Sequence, residues 1–222
     1  MIMPHRDGAT QRRARLARAV WSVMSERGLS AVSMRSVAAA AGVSVGSLQH
    51  TFPTREDLLV YSADLMVQRV QTRIADESVD GEPVEVALRL LAHLLPLTPD
   101  SRVEMDVNVA LVAESRALPR LAVIRDEAHR SIAQGCRRIV ALLAPELGEE
   151  EAGRRAARLH ALVDGIALHL LHAPPESDHA WALEMLGQEL AALASSPAGG
   201  VSGGRRAAVE APASEDASGR SM

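Results

Sequence analysis

The positions of the prolines constrain this chain most. Pro53, Pro83, Pro96, Pro99, Pro119, Pro145 and Pro174-Pro175 all stand between apolar runs, never inside one. A proline in a helix interior costs about 3 kcal/mol, because it removes a hydrogen bond and clashes with the preceding turn. The segments between these prolines carry apolar residues at helical spacing, and none alternates with a period of two. The chain therefore reads as all-α, with about nine helices.

Helix one runs from about Thr10 to Gly28, with Leu16, Val20, Val23 and Met24 on one side, after a loose arm at residues 1–8. Leu29–Val32 links it to a short helix, Met34–Ala41, which Ser33 caps and Gly42 ends in the left-handed conformation. Ser44 caps a third helix, Val45–Thr51, and Pro53 closes it. Thr54 opens helix four, with a stripe of Leu58, Tyr61, Leu65, Val70 and Ile74 reaching about Asp76. Helix five is expected over Pro83–Leu95, ended by Pro96 and Pro99, and helix six over Ser101–Ala117. Helix seven spans Pro119–Leu143, helix eight Glu149–His172 and helix nine Ser177–Ala194. Residues 195–222 are rich in Ser, Ala and Gly; they cannot bury enough surface to offset the entropy of ordering and are expected to form a disordered tail.

With 222 residues, the chain can form one compact domain or a small head on a larger body. Apolar residues make up 47% of it but aromatic residues only 2%, so the core must be built from Leu, Val, Ala and Met. The formal charge of −4 is unevenly spread. Residues 1–59 hold eight arginines against four acids, whereas the remainder holds sixteen arginines against twenty-four. A basic head on an acidic body suits a nucleic-acid contact at one end. Every cation is Arg, so each phosphate contact can be a planar fork.

Several classes lack support. There is no phosphate loop, no nucleophile elbow and no carboxylate pair within a supporting motif. The lone Cys136 rules out an internal disulfide and fits a small buried hydrophobe. His160 and Asp164 have the i, i+4 spacing of zinc ligands, but no second pair completes a site, so neither metal nor cofactor is expected. No apolar run is suited to a signal peptide or a membrane span, which points to a cytoplasmic protein.

The stretch AGVSVGSLQHTFPTRE, residues 40–55, holds the sole Phe, Phe52. A seven-residue helix is unstable alone, so its neighbours must hold it. Val37, Val43, Leu48 and Phe52 can anchor against Leu16, Val20 and Val23. That leaves Val45, Gly46, Ser47, Gln49, His50 and Thr51 at or near the outer surface. Spacing alone fits two readings: a helix shaped for the DNA major groove, or a solvated helical corner.

The longer segment GLSAVSMRSVAAAAGVSVGSLQHTFPTREDLL resembles the helix-turn-helix domain of TetR-type transcriptional regulators over roughly residues 10–60. The likeness lies in the Gly28 turn, the Ser33-capped helix ending Ala-Gly-Val-Ser, the Gly-Ser-Leu segment, Phe52, a basic residue at 55 and the Leu pair after it. Three positions depart from the family pattern: Gln49 replaces an aromatic, usually Tyr, Met24 replaces Phe and Arg55 replaces Lys. The resemblance implies a DNA-binding head at residues 9–69, a ligand-binding and dimerisation body at 70–194, and a ligand-responsive regulator, by the family's usual mode a repressor. Its partners would be a pseudo-palindromic DNA operator, a small-molecule effector and a second copy of the chain.

The residues expected at DNA are Arg35, Ser44, Val45, Gly46, Ser47, Gln49, His50, Thr51 and Arg55. Gly46 allows close approach of the backbone, and the hydroxyls and arginines suit phosphates. Val45 suits a thymine methyl and Gln49 an adenine. Met66, Leu94, Met105, Val109, Val112, Ile132 and Trp181 are expected to line an effector pocket. Leu162, Val163, Gly165, Ile166 and Leu170 are expected at the dimer interface.

Overall fold

A computed structural model describes residues 5–174 and 176–195. Among them are nine α-helices and no strand: α1 (His5–Arg27), α2 (Met34–Ala40), α3 (Val45–Thr51), α4 (Arg55–Asp76), α5 (Pro83–Ala92), α6 (Pro99–Glu114), α7 (Pro119–Leu143), α8 (Glu149–His172) and α9 (Ala180–Ala194). A single 3₁₀ turn, Leu29–Ala31, follows α1. The expected tail lies outside the described residues except for Ser195.

Helices α3, α4, α7 and α8 have the limits expected from sequence, and the remaining ends move for local reasons. Helix α1 begins at His5, within the stretch expected to be a loose arm. The linker after it contains the 3₁₀ turn. Helix α5 stops at Ala92, before either proline, while Pro99 begins α6 instead of ending α5. Proline fits the first helical turn, where its missing N–H has no partner to lose. Thr98 and Ser101 form a capping box around that start: the Thr98 hydroxyl accepts from the Ser101 N–H, and the Ser101 hydroxyl accepts from the Thr98 N–H. The first turn of α9 is likewise later than expected, at Ala180.

Two hydrophobic cores organise the chain. The first joins Leu16, Val20, Val23, Val37, Leu48, Phe52, Leu58 and Met66 of the N-terminal helices to Val107 and Leu111 of α6 and Leu121 of α7. The second packs α5, the C-terminal half of α7, α8 and α9 around Leu91, Cys136, Leu159, Leu170 and Leu186. The first core thus crosses the boundary expected at residue 70. Glu104 of α6 reinforces the crossing. It is buried, and Arg69 and Arg73 of α4 pair with it at 3.3 and 2.7 Å. Arg69 also lies over the Trp21 ring, 5.4 Å from its centroid.

Arg102, two residues before Glu104, ties the start of α6 to the end of α8. Its guanidinium donates to the carbonyls of Leu170 and Leu171, at 2.9 and 2.7 Å, and to that of Ala173. The last carbonyls of a helix have no partner within it, so a cation there satisfies them and complements the helix dipole.

Candidate nucleic-acid interface and effector cleft

The short helices are fixed by caps and by one aromatic wedge. The Ser33 hydroxyl accepts from the Ser36 N–H, and the Ser36 hydroxyl accepts from the Ser33 N–H. The Ser44 hydroxyl accepts from the Ser47 N–H at 3.1 Å and starts α3. Each such cap contributes about 1 kcal/mol. Gly42 turns between the two helices at φ +65°, a conformation that L side chains resist. Leu48 and Phe52 are buried, and Phe52 lies 5.2 Å from the Tyr61 ring. Arg13 of α1 covers both rings, 5.2 Å from Phe52 and 4.7 Å from Tyr61. The inner edge of α3 is therefore pinned at its middle and at its C-terminal end.

Gly46, Gln49 and His50 lie exposed on the opposite side of α3, and Val45, Ser47 and Thr51 are half-buried along its flanks. A methyl group placed on Gly46 would meet nothing within 4 Å, so the space in front of it is open. Ser44 and Arg35 are exposed at or near helix starts. Thr51 donates back to the Ser47 carbonyl, which engages its hydroxyl within the helix.

Arg55 is oriented differently from a residue free to grip phosphate. Its guanidinium donates to the carbonyls of Val32 and Leu29, at 2.9 and 3.4 Å, and pairs with Glu114 at the end of α6. Beside it, Arg120 of α7 pairs with Asp57 at 2.7 Å and with Glu56 at 3.8 Å. The Arg120 hydrogen bond, with a second from Thr54, holds the Asp57 carboxyl below its ordinary pKa. The first turn of α4 is thus clasped to the α6–α7 corner. Sequence spacing gave no sign of this clasp, because its members lie about sixty residues apart.

Arg12 was also missed as a member of this surface. Its guanidinium donates to the Ser47 hydroxyl at 2.6 Å and to the Ser47 carbonyl at 3.2 Å. The signal available in the sequence was the basic run Arg12, Arg13, Arg15, Arg18 along nearly two turns of helix.

The expected pocket residues do not come together as a set. A cleft between α4, α6 and α7 is lined by Met66, Val67, Asn108, Leu111, Val112 and Ile124, among others. Of the expected residues, only Met66 and Val112 belong to it. Leu94, Met105 and Ile132 pack against the second core instead, and Val109 and Trp181 lie at the surface. The cleft is narrow, with room for little more than a water molecule. At its edge Arg125 donates to the buried Ser115 hydroxyl at 2.7 Å and pairs with Asp126.

The expected interface residues divide in the same way. Val163, Ile166 and Leu170 are buried within the protomer and are unavailable to a partner. Leu162 lines an α8–α9 surface groove with Arg158, Met185, Gln188 and Glu189. Gly165 has no neighbour within 4 Å of an added methyl, so any close approach there must come from outside the protomer. The exposed apolar residues on these helices are Leu168, Trp181 and Met185.

Other candidates are absent or buried. Among the described residues no group of three His, Cys, Asp or Glu could hold a metal ion. His160 lies 3.6 Å from Asp164 and against the His129 ring. Burial pushes the Cys136 thiol up to about 11, so it is a packing residue and not a reactive thiolate. No described helix is long and apolar enough to cross a membrane.

A seven-residue helix with a pinned inner edge and an exposed outer edge of Gly46, Gln49 and His50, set on an all-α body, defines a helix-turn-helix DNA-binding regulator. The chain belongs to the TetR family of transcriptional regulators. Residues 16–61 match the family described as bacterial regulatory proteins, tetR family, and residues 83–195 match that of the BetI-type transcriptional repressor, C-terminal. The chain is 36% identical over 176 residues to the HTH-type transcriptional regulator PksA of Bacillus subtilis (strain 168), covering 78% of this chain and 84% of that protein. A transcriptional regulator from Rhodococcus sp. Rha1 superposes with a TM-score of 0.73 at 30% identity, over 82% of this chain and 95% of that one. A regulator from Saccharomonospora viridis, solved in complex with choline, shares the fold at 23% identity and a TM-score of 0.67, over 81% and 95% of the two chains. Regulators of this family are non-enzymatic DNA-binding proteins.

Proposed function

We propose that the protein is a ligand-responsive repressor that binds a pseudo-palindromic operator as a homodimer and leaves it when a small molecule occupies its body. The observation that supports this reading is the outer face of α3, where Gly46, Gln49 and His50 are exposed and the space in front of Gly46 is open. Residues 9–69 would form the head and 70–194 the body. Ser44, Val45, Gly46, Ser47, Gln49, His50 and Thr51 would meet the major groove, with Arg35 on the backbone. The match to a BetI-type repressor C-terminal family supports repression.

Two copies would associate through the α8–α9 face, around Leu162, Gly165, Leu168, Trp181 and Met185. The effector would enter the α4–α6–α7 cleft, whose lining is mostly apolar with Asn108 and Arg125 as its polar groups. Because the cleft is narrow, a ligand must part the helices. Its lining shares the α6–α7 corner with the clasp to Arg55 and Asp57, so parting the helices would move the head. The ligand must then prefer the parted arrangement, or no shift follows.

Selection of bound duplexes from a random DNA pool tests the reading. Two related half-sites are expected, centred about one helical turn or a simple multiple apart. Gln49→Ala should relax preference at one base pair, a discrimination of about 1–3 kcal/mol. An unchanged selected sequence would remove Gln49 from base reading. Loss of affinity with salt separates this reading from a protein-binding corner, which would show little such dependence.

A further inference from the structure

We propose that Arg12 of α1 is a phosphate-contacting residue that extends the DNA interface beyond the helix-turn-helix and fixes the Ser47 side chain beside it. The inference rests on α3 facing DNA.

Three observations lead to it. Arg12 is exposed, and its guanidinium reaches across to α3 and donates to both oxygens of Ser47. Ser47 adjoins Gly46, whose front is open, so the guanidinium lies at the edge of the surface that DNA would approach. No carboxylate of the described residues pairs with Arg12, unlike Arg55, which is held by Glu114 and two carbonyls. Both contacts to Ser47 use one terminal nitrogen, Nη2. A guanidinium has five N–H donors, so those on Nε and Nη1 remain for a phosphate.

The contact also sets the chemistry of Ser47. Its hydroxyl accepts from Arg12, which leaves its own hydrogen free to donate to the same strand. Arg12 and Ser47 together would hold the backbone while Gln49 and His50 reach the bases. Phosphate contacts position a protein without reading sequence.

Arg15 on the next turn has a different role. It donates to the Ala41 carbonyl at 2.7 Å and caps the end of α2. It therefore serves as a control: an arginine on the same helix whose bond is structural.

The test uses the full chain and a duplex taken from the selection above, with a scrambled duplex beside it, titrated between about 50 and 300 mM KCl. Arg12→Gln keeps a donor for Ser47 and removes the charge. It is expected to weaken both duplexes about tenfold, as for one charge-assisted hydrogen bond, with the melting temperature unchanged. The slope of log affinity against log salt should flatten by about 0.9 for each half-site. Arg12→Lys should restore the slope, and Arg15→Gln should leave it unchanged. A wild-type slope in Arg12→Gln would overturn the proposal, as would weakening confined to the selected duplex. Gly46→Glu, which places a carboxylate against the groove, tests the separate premise. If it abolishes binding while Arg12→Gln keeps the wild-type slope, α3 reads DNA and Arg12 does not touch it. If Gly46→Glu is silent, the placement of α3 is itself wrong.

Discussion

The two hydrophobic cores are built from the same helical patterning but leave opposite surfaces uncovered. On the helices α1–α4 of the first core, the exposed positions of α3 are a glycine, a glutamine and a histidine, and no described large apolar residue is exposed; the exposed valines beside this core, Val109, Val112 and Val123, all lie on α6 and α7. Around the second, Leu168, Trp181 and Met185 stay exposed on α8 and α9. A polar surface with a glycine in it suits a hydrated, charged partner such as DNA. An exposed apolar patch suits a protein partner. If the proposed function holds, the functional signal in each half is what its core fails to cover, not what it buries.

The strongest way to break this comparison is to empty the first core. Phe52 is the largest side chain among those wholly shut off from solvent, and it joins α3 to α4 through Tyr61. Phe52→Ala should cost about 3–5 kcal/mol, read by urea denaturation, from lost burial and the cavity left behind. DNA binding should vanish with it. Because the first core includes Val107, Leu111 and Leu121, the α6–α7 corner should loosen in the same transition. A cost below about 1 kcal/mol would show that Phe52 is not the wedge.

A charge on the second surface should change assembly more than folding. Met185 is exposed at 45%, so Met185→Arg costs little within one protomer. It should convert a dimer at micromolar concentration into monomer by sedimentation. DNA affinity should then fall by on the order of a hundredfold, as the second half-site loses its tethered partner. Leu170→Ala provides the contrast. Leu170 is fully buried, so that change should cost about 2–5 kcal/mol of stability. A Met185→Arg variant that remained dimeric would remove the α8–α9 face from the interface.

What the sequence made legible follows from the range over which each signal acts. The limits of α3 were readable because Ser44, Pro53 and their immediate neighbours set them. Gly42 was readable because a left-handed turn favours glycine locally. Pro99 was misread because proline both ends and begins helices, and only the Thr98–Ser101 box decides between the two. The pocket and interface were poorly legible for a different reason. Val163, Ile166 and Leu170 form a helical stripe, but a stripe marks burial without saying against which chain. Arg55 matched a family position, yet its partners Glu114 and Val32 come from elsewhere in the fold.

The finest test concerns the crossing between the cores, where α4 hands over to α5. Glu77 there accepts from Arg89 at 3.0 Å and lies 2.8 Å from the His93 ring. Arg89 also donates to the carbonyls of Ser78 and Asp80 and so braces the turn. The hydrogen bond from His93, then that from Arg89, lowers the Glu77 carboxyl from its ordinary 4.5. A carboxyl with a lower pKa in the folded state stabilises the fold above the unfolded value, and that stabilisation is lost as pH falls through the folded one. Glu77→Gln should therefore melt slightly below wild type at pH 6, by about 2 °C or less, because the group stays within reach of water. The gap should close on acidification from 4.5 downward as the wild-type carboxylate takes up its proton. A gap that stayed constant down to about pH 3 would mean that the ion pair adds nothing here, leaving α4 tied to the body by the buried Glu104 with Arg69 and Arg73 and by the pairs of Arg55 and Arg120.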